Sequence, residues 1–546
     1  MSTLDRSLTS GGVTVREAVF ALLRHHRMTT IFGNPGSTEL PMFSDLPDDF
    51  RYVTGLQESV VVGMADGNAQ ARRGPAFVNL HSAAGVGHAM GAIYGAFRNR
   101  SPLVITAGQQ SRPLLAGDPF LFAESPTELP KPYVKWAIEP ARAEDVPAAI
   151  ARAIHLACLP PMGPVFVSIP LDDWDIACTM PVIRNVTGGM PAAPQALEAL
   201  TGRLDRAGSP VLVVGPGVDI DGGWDQAVAL ADHLQAPVWV APLSSRCSFP
   251  ESHPLFAGFL PASEGEISDR LSGHDLILVL GAPVFTYHYP KSGQIPPEGA
   301  EVVQITDDPR QASGALCGDS IVGDLRASLQ QVLDGLGDPR PPRPAPLRTL
   351  TPPPAATGIT PAMALRMLTD LRPKASMVVE EAPSSRGDVH DHLPIDRPGG
   401  FFATASGGLG FALPAAVGVA LTEPEAPVLA IIGDGSAMYS VQALWSAVEY
   451  NADILFVILN NGGYAALKGF AGNVPVDGCD LGHLSLAALA LAQGCPAKCV
   501  SDPLELEAVL REGFAGSGPR LVEILLNGAT PSAPAPLAGR RDVLNL

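Results

Sequence analysis

The sequence predicts an α/β protein made of three doubly wound, parallel-sheet domains. Short apolar runs of strand length alternate along the chain with stretches of helical periodicity, which is the pattern of parallel sheets covered by helices. The length of 546 residues agrees with this pattern, because about 150 residues per domain would give three or four domains. A Pro-rich stretch at 338–354 reads as a linker before the last domain.

The first domain is predicted to span 1–190. Thr14 and Glu17 have the spacing of a capping box and predict the start of an amphipathic helix. The first strand is expected to end at a tight turn that reaches Ser37. The predicted strands of this domain are Thr29–Phe32, Ala76–Leu80, Leu103–Thr106 and Val165–Ile169.

The middle domain is predicted at 191–337 and the third domain at 355–546. The tail after Asn527 alternates Pro, Ala and Gly, and is expected to be mobile. The strands predicted for the middle domain are Val211–Val214, Val238–Ala241, Leu276–Leu280 and Val302–Ile305. Those predicted for the third domain are Met377–Glu380, Val428–Ile432, Ile454–Leu459 and Leu521–Leu526.

Composition and charge argue against several classes of partner. The net charge of −19 disfavours nucleic acid and anionic membrane surfaces, which are bound by basic patches. No apolar run reaches the ~18 residues of a membrane span, and the N-terminal stretch lacks the apolar core of a signal peptide. Seven scattered cysteines favour free thiols over disulfides, so a cytoplasmic location is expected.

The segment from Gly433 to Asn461 predicts a site for a metal-bound diphosphate. A buried strand runs into Gly433-Asp434-Gly435-Ser436, and the next apolar run ends at Asn460-Asn461. Glycines let the backbone approach an anion, and carboxylate and amide oxygens are ligands that a hard divalent cation prefers. Asp434 and Asn461 lie 27 residues apart, enough for a crossover helix that returns the chain to the same sheet edge.

Further segments of the chain match one enzyme family in the order in which they occur. They are Phe32-Gly-Asn-Pro-Gly-Ser37, Leu56-Gln-Glu58, Asn79-Leu-His-Ser-Ala-Ala-Gly85, Thr106-Ala-Gly-Gln-Gln110, Gly281-Ala-Pro-Val-Phe285 with Tyr287-His288, and Gly407-Gly-Leu-Gly-Phe411. With the Gly433 to Asn461 segment, they resemble the decarboxylase branch of the thiamin diphosphate-dependent family over nearly the whole chain. The resemblance is strongest to members that act on aryl 2-oxo acids such as benzoylformate.

This resemblance implies the cofactor, the metal and the residues that hold them. The cofactor would be thiamin diphosphate, bound with Mg²⁺ or Ca²⁺, and Glu58 would hydrogen-bond its pyrimidine ring and favour the tautomer that activates it. The metal ligands would be Asp434, Asn461 and the carbonyl of Gly463, and the bulky Leu409 would prop the cofactor into a bent shape. The remaining residues implied to bind the cofactor are Ser384, Gly408, Gly433, Gly435, Ser436 and Tyr464.

The resemblance also implies a reaction, non-oxidative decarboxylation of an aromatic 2-oxo acid to an aldehyde and carbon dioxide. Ser37, His81 and His288 match the residues that place the substrate and move protons, a role that suits histidine near neutral pH. Phe120 and Gly469 depart from the aryl pattern, which leaves the shape of the pocket open. The residues implied to line the substrate pocket are Leu121, Ala403, Ala466 and Phe470.

Two alternatives remain at this point, together with the oligomeric state. A carboligase of the acetolactate synthase type would use the same cofactor and Glu58, although the histidine pair favours protonation and hence decarboxylation. A non-catalytic nucleotide-binding or regulatory protein is the second alternative, because Val214-Gly-Pro-Gly-Val218 is a partial phosphate-loop pattern that lacks the full fingerprint. The family pattern implies a homodimer or homotetramer with the active site at the subunit interface.

Overall fold

The computed structural model describes residues 12–289, 291–344, 346, 358–471, 474–482 and 484–526. The N-terminal stretch before Gly12, most of the second half of the Pro-rich 338–354 stretch and the tail from Asn527 onward lie outside the described residues. Predictions made for those segments therefore stay predictions.

The first domain contains a parallel sheet and a small antiparallel pair of strands. Its strands are β1 Val13–Thr14, β2 Thr30–Gly33, β3 Arg51–Thr54, β4 Ala76–Leu80, β5 Leu103–Gln109, β6 Ala137–Ile138, β7 Val165–Pro170 and β8 Ala177–Cys178. Its helices are α1 Val15–His25, α2 Leu40–Phe43, α3 Glu58–Arg72, α4 Ser82–Asn99 and α5 Val146–Cys158. The sheet has the order β3-β2-β4-β5-β7-β6, while β1 pairs with β8. The predicted capping box of α1 is confirmed, because the Thr14 hydroxyl accepts from the Glu17 N–H and the Glu17 carboxylate accepts from the Thr14 N–H.

The middle domain repeats the parallel arrangement. Its strands are β9 Pro210–Val214, β10 Val238–Val240, β11 Phe256–Phe259, β12 Leu276–Leu280, β13 Glu301–Thr306 and β14 Asp319–Val322. Its helices are α6 Pro194–Arg206, α7 Pro216–Ile220, α8 Trp224–Leu234, α9 Glu264–Leu271, α10 Pro309–Ser313 and α11 Leu325–Gly335. The strand order is β11-β10-β9-β12-β13-β14, and every pair is parallel.

The third domain holds another parallel sheet. Its strands are β15 Met377–Glu381, β16 Phe401–Ala403, β17 Val428–Gly433, β18 Ile454–Asn460, β19 Ala497–Val500 and β20 Arg520–Leu525. Its helices are α12 Pro361–Leu371, α13 Arg386–His392, α14 Ala412–Thr422, α15 Asp434–Ala437, α16 Ala443–Glu449, α17 Ala465–Ala471, α18 Leu486–Ala492 and α19 Pro503–Ala515. The order is β16-β15-β17-β18-β20-β19, again with parallel pairs. The predicted class of three parallel-sheet α/β domains is confirmed, whereas the predicted domain bounds stay predictions.

The sequence predicted the four central strands of each large sheet and missed both edge strands of each. The missed strands are β3 and β6, β11 and β14, and β16 and β19. Central strands are covered on both faces, so they are continuous apolar runs that are easy to recognise. Some edge strands, such as the partly exposed β14, carry polar residues that weaken the apolar signal, whereas β11 is a buried apolar run of only four residues interrupted by glycine.

The first and third domains are joined by close packing of α3 against α14. A Cβ atom added at Gly67 would lie 2.2 Å from the carbonyl oxygen of Ala415, and one added at Gly418 would lie 1.8 Å from the carbonyl oxygen of Met64. Neither position has room for a side chain, so the two backbones are in direct contact. One continuous apolar cluster therefore runs through both domains.

A buried carboxylate connects all three domains. The side chain of Asp219 accepts from Arg73 of the first domain at 2.7 Å, from Arg246 of the middle domain at 2.8 Å and from the N–H of Gly399 in the third domain at 2.9 Å. These charge-assisted hydrogen bonds fix the relative placement of the domains.

All seven cysteines are free, as predicted. No helix of the described residues is long and apolar enough to cross a membrane.

Candidate active site

The third domain brings the predicted metal ligands together at one sheet edge. The neighbouring parallel strands β17 and β18 end side by side, and Asp434 and Asn461 directly follow them. Asp434 is 2% exposed, and backbone N–H groups of its own turn and of the turn after β18 surround its carboxylate. Burial nevertheless raises the pKa of Asp434 above its ordinary value, and these N–H donors only partly oppose the rise.

The backbone at this edge leaves no room for side chains at two glycines. A Cβ atom at Gly435 would lie 2.5 Å from the ring of Tyr464. Gly463 has a φ of +154°, and a Cβ atom there would lie 2.0 Å from the carbonyl oxygen of Cys479. We call Asp434, Gly435, Asn461 and Gly463 the third-domain edge.

The third-domain edge fits a hard divalent cation bound with a diphosphate. Among the described residues no ion pair joins Asp434 to a basic side chain, so its buried charge needs a positive partner from outside the chain. Oxygen ligands and a backbone without side chains are what such a cation and a phosphate group require. Ser436, predicted to bind the cofactor, is buried beside Asp434 at the start of α15.

The same edge gathers several other predicted residues. The Ser384 hydroxyl accepts from the N–H of Ala466 at 3.0 Å, which ties the end of β15 to the start of α17. Further along α17, the Phe470 ring meets the ring of His288 edge-on, with centroids 4.9 Å apart. The middle domain therefore places His288 against α17, the helix that follows the third-domain edge. Leu409 and Gly408 lie on the loop between β16 and α14, where Leu409 is half-buried and Gly408 is exposed.

The first domain brings Ser37 and His81 together at the ends of β2 and β4. These strands are parallel neighbours, and the turn after β2 packs directly under the imidazole that follows β4. A Cβ atom at Gly36 would lie 2.2 Å from Nδ1 of His81. Only a glycine fits beside this ring, and it leaves the adjacent Ser37 exposed.

Glu39 is a candidate site residue that the sequence analysis did not select. Its carboxylate is 1% exposed, and Oε2 lies 2.8 Å from Nδ1 of His81 while also accepting from the Gly36 N–H at 2.9 Å. Oε1 accepts from the Gly108 N–H at 2.9 Å and from the Thr38 hydroxyl at 2.5 Å. A carboxylate only accepts, so Nδ1 of His81 carries the hydrogen and Nε2 is the nitrogen left to exchange a proton.

Glu58 starts α3, and its side chain is mostly buried. Oε2 lies 3.1 Å from Nδ1 of His88, a residue the sequence analysis did not select. A Cβ atom at Gly85 would lie 3.2 Å from Oε1 of Glu58, so the carboxylate rests on the N-terminal part of α4. His81, Gly85 and His88 follow a helical spacing along α4, and this spacing is the signal that could have identified His88.

Leu121 lies in a loop, residues 118–123, that we call the Phe120 loop. Leu121 has a φ of +68°, which is unfavourable for a branched side chain and is kept by its surroundings. The Gln109 side-chain amide donates to the carbonyl of Ala123 and accepts from the N–H of Ala123. The Gln110 side-chain amide donates to the carbonyl of Phe120 at 2.7 Å. Phe120 itself is 87% exposed.

The predicted site residues thus form two groups within one chain. Among the described residues, no hydrogen bond, ion pair or ring contact links one group to the other. Ala403 lies in β16 within the apolar core of the third domain, so its pocket role stays a prediction. The first-domain group is Ser37, Glu58, His81 and Leu121, and the second group is Ser384, Asp434, Asn461, Gly463, Ala466, Phe470 and His288.

The glycine loop of the middle domain is packed against its own sheet. A Cβ atom at Gly215 would lie 2.4 Å from the Cβ of Ala282, and one at Gly217 would lie 2.7 Å from the Cα of Gly281. The loop after β9 therefore packs closely on the loop after β12, which explains the glycines at 215 and 217 by packing alone.

Comparison with known proteins matches three regions of the chain to one enzyme family. The family descriptions that match are "Thiamine pyrophosphate enzyme, N-terminal TPP binding domain" at residues 13–125, the central domain of the same enzymes at 197–332 and their C-terminal TPP binding domain at 383–524. Thiamine pyrophosphate is another name for thiamin diphosphate.

Individual relatives cover nearly the whole chain. A benzoylformate decarboxylase of Pseudomonas aeruginosa is 46% identical over 521 residues, which is 94% of this chain and 98% of that protein. The crystal structure of benzoylformate decarboxylase from Polynucleobacter necessarius matches with a TM-score of 0.92 and 39% identity, covering 95% of this chain and 99% of that one. A thiamine diphosphate-dependent 4-hydroxybenzoylformate decarboxylase of Rhodococcus jostii RHA1 matches with a TM-score of 0.91 and 40% identity, covering 94% and 99%.

The first matched region contains β2 to β5 and Glu58, the central region contains the whole middle sheet, and the last region contains β16 to β19 and Asp434. The chain belongs to the thiamin diphosphate-dependent enzyme family.

Proposed function

We propose that the protein decarboxylates an aromatic 2-oxo acid, benzoylformate or a ring-substituted relative, to the aldehyde and carbon dioxide without oxidation. The observation that carries the proposal is a pair of histidines from two different domains, His81 close to Glu58 in the first domain and His288 against Phe470 of the third domain. The relatives that cover nearly the whole chain support the same reaction.

The chain's own residues fit the cofactor and its metal. Asp434, Asn461 and the carbonyl of Gly463 would hold Mg²⁺, and Ser384, Gly435 and Ser436 would border the diphosphate. Bound thiamin diphosphate supplies the nucleophilic carbon and the electron sink that decarboxylation of a 2-oxo acid needs. Glu58 would hold the pyrimidine ring through a carboxylate that the protein keeps largely out of water.

His81 and Ser37 would handle the substrate. Glu39 holds Nδ1 of His81, so Nε2 is available to give a proton to, or take one from, the carbonyl oxygen of the 2-oxo acid. Ser37, exposed on the adjacent turn, would donate to the substrate carboxylate. Glu39 acts through His81 and is a positioning residue.

His288 would serve the other face of the substrate. Its ring contacts Phe470, and no carboxylate of the described residues forms an ion pair with it. Phe470, Ala466 and Leu121 would form an apolar wall for an aryl group, with Phe120 as an additional aromatic contact. An aryl ring fits such a wall better than the short chain of pyruvate.

The active site would form between two subunits. Glu58 and Asp434 belong to groups without mutual contact in one chain, so a complete site needs the first group of one subunit and the second group of another. A homodimer is the smallest assembly that provides this, and a homotetramer would be a pair of such dimers. Cytoplasmic residence stays a prediction that the free cysteines support.

Complementation tests the subunit arrangement. Glu58→Gln and Asp434→Ala are each expected to be inactive, but a mixed dimer has one site in which both residues are intact. Refolding the two variants together in equal amounts should restore about a quarter of wild-type activity, because half the dimers are mixed and half their sites are complete. Activity no higher than that of either variant alone would place the whole site within one chain.

Product analysis tests the reaction. The protein with thiamin diphosphate and Mg²⁺ is given benzoylformate, 4-hydroxybenzoylformate, pyruvate or 2-oxoisovalerate, and aldehyde and carbon dioxide are measured together. We expect equal amounts of both products, with the aryl acids preferred. A 2-hydroxyketone or acetolactate as the main product would favour the carboligase alternative, and full activity in both His81→Ala and His288→Ala would remove the argument for protonation.

A further inference from the structure

Glu381 is a buried carboxylate for which the reaction described above has no use. It is the last residue of β15, and its side chain is 3% exposed. Oε1 accepts from the N–H of Gly410 at 2.6 Å, and Oε2 accepts from the N–H of Ala412 at 2.8 Å. The carboxylate therefore bridges the end of a central strand and the first residues of α14.

Keeping a carboxylate at this place is costly. Burial raises the pKa of Glu381 to about 8, and the neighbouring Glu380 adds to the rise, although three backbone N–H groups oppose it. A helix start can be capped locally by Ser, Thr or Asp at lower cost, yet the N-cap Phe411 makes no side-chain cap. The distant carboxylate differs from a local cap because it fixes the helix start relative to the sheet.

The segment that Glu381 holds contains Leu409. Gly410, the next residue, has a φ of +101°, and a Cβ atom there would lie 2.9 Å from the Cβ of Tyr439. On the other side of Leu409, the Ser406 hydroxyl accepts from the Gly408 N–H at 3.0 Å. Leu409 thus lies between two fixed backbone points, one of which is bonded to β15.

The pairing of β15 with β17 places Glu381 close to the strand that ends at Asp434. β15 pairs with β17, and Glu381 lies opposite Ile432, two residues before Asp434. Glu381 thereby links the segment around Leu409 to the strand that carries the third-domain edge.

We propose that Glu381 is a positioning residue that sets Leu409 relative to the bound cofactor by holding the N–H groups of Gly410 and Ala412. The proposal rests on the proposed function, in which Leu409 props the cofactor into the bent shape needed for activation. Small displacements of groups near a reacting centre can cost about 100-fold in rate, so a rigid support at this point has a measurable consequence.

The test compares Glu381→Gln with Glu380→Gln. Glutamine at 381 keeps the size, but its amide nitrogen faces a backbone N–H in place of one carboxylate oxygen. Glu380 is equally buried and adjacent in sequence, yet it bonds the Ala382 N–H and lies 3.4 Å from Arg386, away from the Leu409 segment. Glutamine at 380 can still accept from the Ala382 N–H, so this variant is a matched control for placing glutamine at a neighbouring buried glutamate.

Three measurements are made on the full chain with thiamin diphosphate and Mg²⁺. They are the dissociation constant of the cofactor by calorimetry, the rate of hydrogen exchange at C2 of the bound cofactor by NMR, and amide exchange of residues 404–412 by mass spectrometry. In Glu381→Gln we expect C2 exchange to slow by about 10- to 100-fold and residues 404–412 to lose protection. In Glu380→Gln we expect both to stay within about threefold of wild type.

A double variant separates positioning from general stability. If Glu381 acts through Leu409, Glu381→Gln should slow C2 exchange much less in a Leu409→Ala background than in wild type. Equal slowing in both backgrounds would overturn the proposal. If Glu381→Gln exchanges the C2 hydrogen at the wild-type rate and only its unfolding temperature falls, Glu381 merely caps the helix start and does not position Leu409.

Failure of the proposed function and failure of the role of Glu381 give different results. Absence of cofactor binding or of C2 exchange in the wild-type protein would contradict the proposed function itself. If Glu381→Gln does not fold, the amides of Gly410 and Ala412 are measured in the wild-type protein by NMR. Exchange there as fast as in an exposed loop would overturn the inference, because the hydrogen bonds on which it rests would not persist.

Discussion

The third-domain edge and the Phe120 loop are built in opposite ways. At the third-domain edge, Asp434 is buried, Gly435 has no room for a side chain, and the backbone continues from two central strands. In the Phe120 loop, Phe120 is largely exposed, and the backbone is held by the amides of Gln109 and Gln110. Asp434 and Gly435 therefore have little freedom to vary, while Phe120 lies where a change disturbs little else.

Asp434→Ala gives the largest expected effect. It removes the buried carboxylate that would hold the metal, so cofactor affinity should fall by roughly 100-fold or more. Calorimetric titration with thiamin diphosphate and Mg²⁺ measures this, and Asp477→Ala, an exposed carboxylate of the same domain, is the control. Wild-type affinity in Asp434→Ala would show that the third-domain edge does not hold the metal. The contrast with the Phe120 loop would then not reflect a difference between cofactor and substrate residues.

Glu58→Gln should separate binding from activation. A neutral amide keeps the packing on α4 but cannot favour the active tautomer as a carboxylate does, so C2 exchange should fall by at least about 100-fold while cofactor affinity stays near wild type. NMR of the bound cofactor follows the exchange, and His88→Ala shows whether the observed Glu58 contact matters for it. Exchange at the wild-type rate in Glu58→Gln would mean that another group activates the cofactor.

His81→Ala and Glu39→Gln test the network under the imidazole. Removing the ring should lower kcat by more than about tenfold, within the usual range for general acid–base groups.

Glu39→Gln should lower kcat less, by roughly tenfold, because a side-chain amide can orient Nδ1–H but cannot stabilise an imidazolium. Steady-state kinetics across pH measures both. A positioning role for Glu39 predicts a changed pH profile of kcat with unchanged cofactor affinity, and an unchanged profile would contradict that role.

Phe120→Ala gives the smallest expected effect and tests whether the Phe120 loop affects substrate preference without affecting the cofactor. Loss of an exposed aromatic wall should change the ratio of kcat/KM between benzoylformate and 2-oxoisovalerate by a few-fold to about tenfold, with no change in cofactor affinity. Leu114→Ala, another exposed apolar residue of the first domain, is the control. A loss of cofactor affinity in Phe120→Ala would show that the loop belongs to the cofactor site after all.

The part of the fold predicted from sequence follows burial. The central strands were found because both faces of each are apolar, whereas an edge strand such as β19 has exposed residues and no clear alternation. The position of residues relative to the central strands also explains which site residues could be predicted from the sequence. Asp434 and Asn461 could be proposed as ligands because they directly follow central strands and Asp434 lies between glycines, and the family resemblance suggested the other candidates.

Glu39 and Glu381 were not found, because nothing local distinguishes a buried glutamate from an exposed one. Glu39 bonds the backbone of Gly108, 69 residues away, and Glu381 bonds Gly410, 29 residues away. Their burial depends on which backbone N–H groups the tertiary structure brings to them. A sequence shows that a carboxylate is present, but only the packed structure shows that it is holding a loop.

The contact between α3 and α14 has a consequence for synthesis of the chain on the ribosome. Asn68 of α3 bonds Thr422 of α14 across 354 residues of sequence, and the backbones touch at Gly67 and Gly418. At the usual 5–20 residues per second, α3 waits roughly 20 to 70 s for its partner helix to be translated. For that time the face of α3 that packs on α14 in the finished protein has no partner from its own chain.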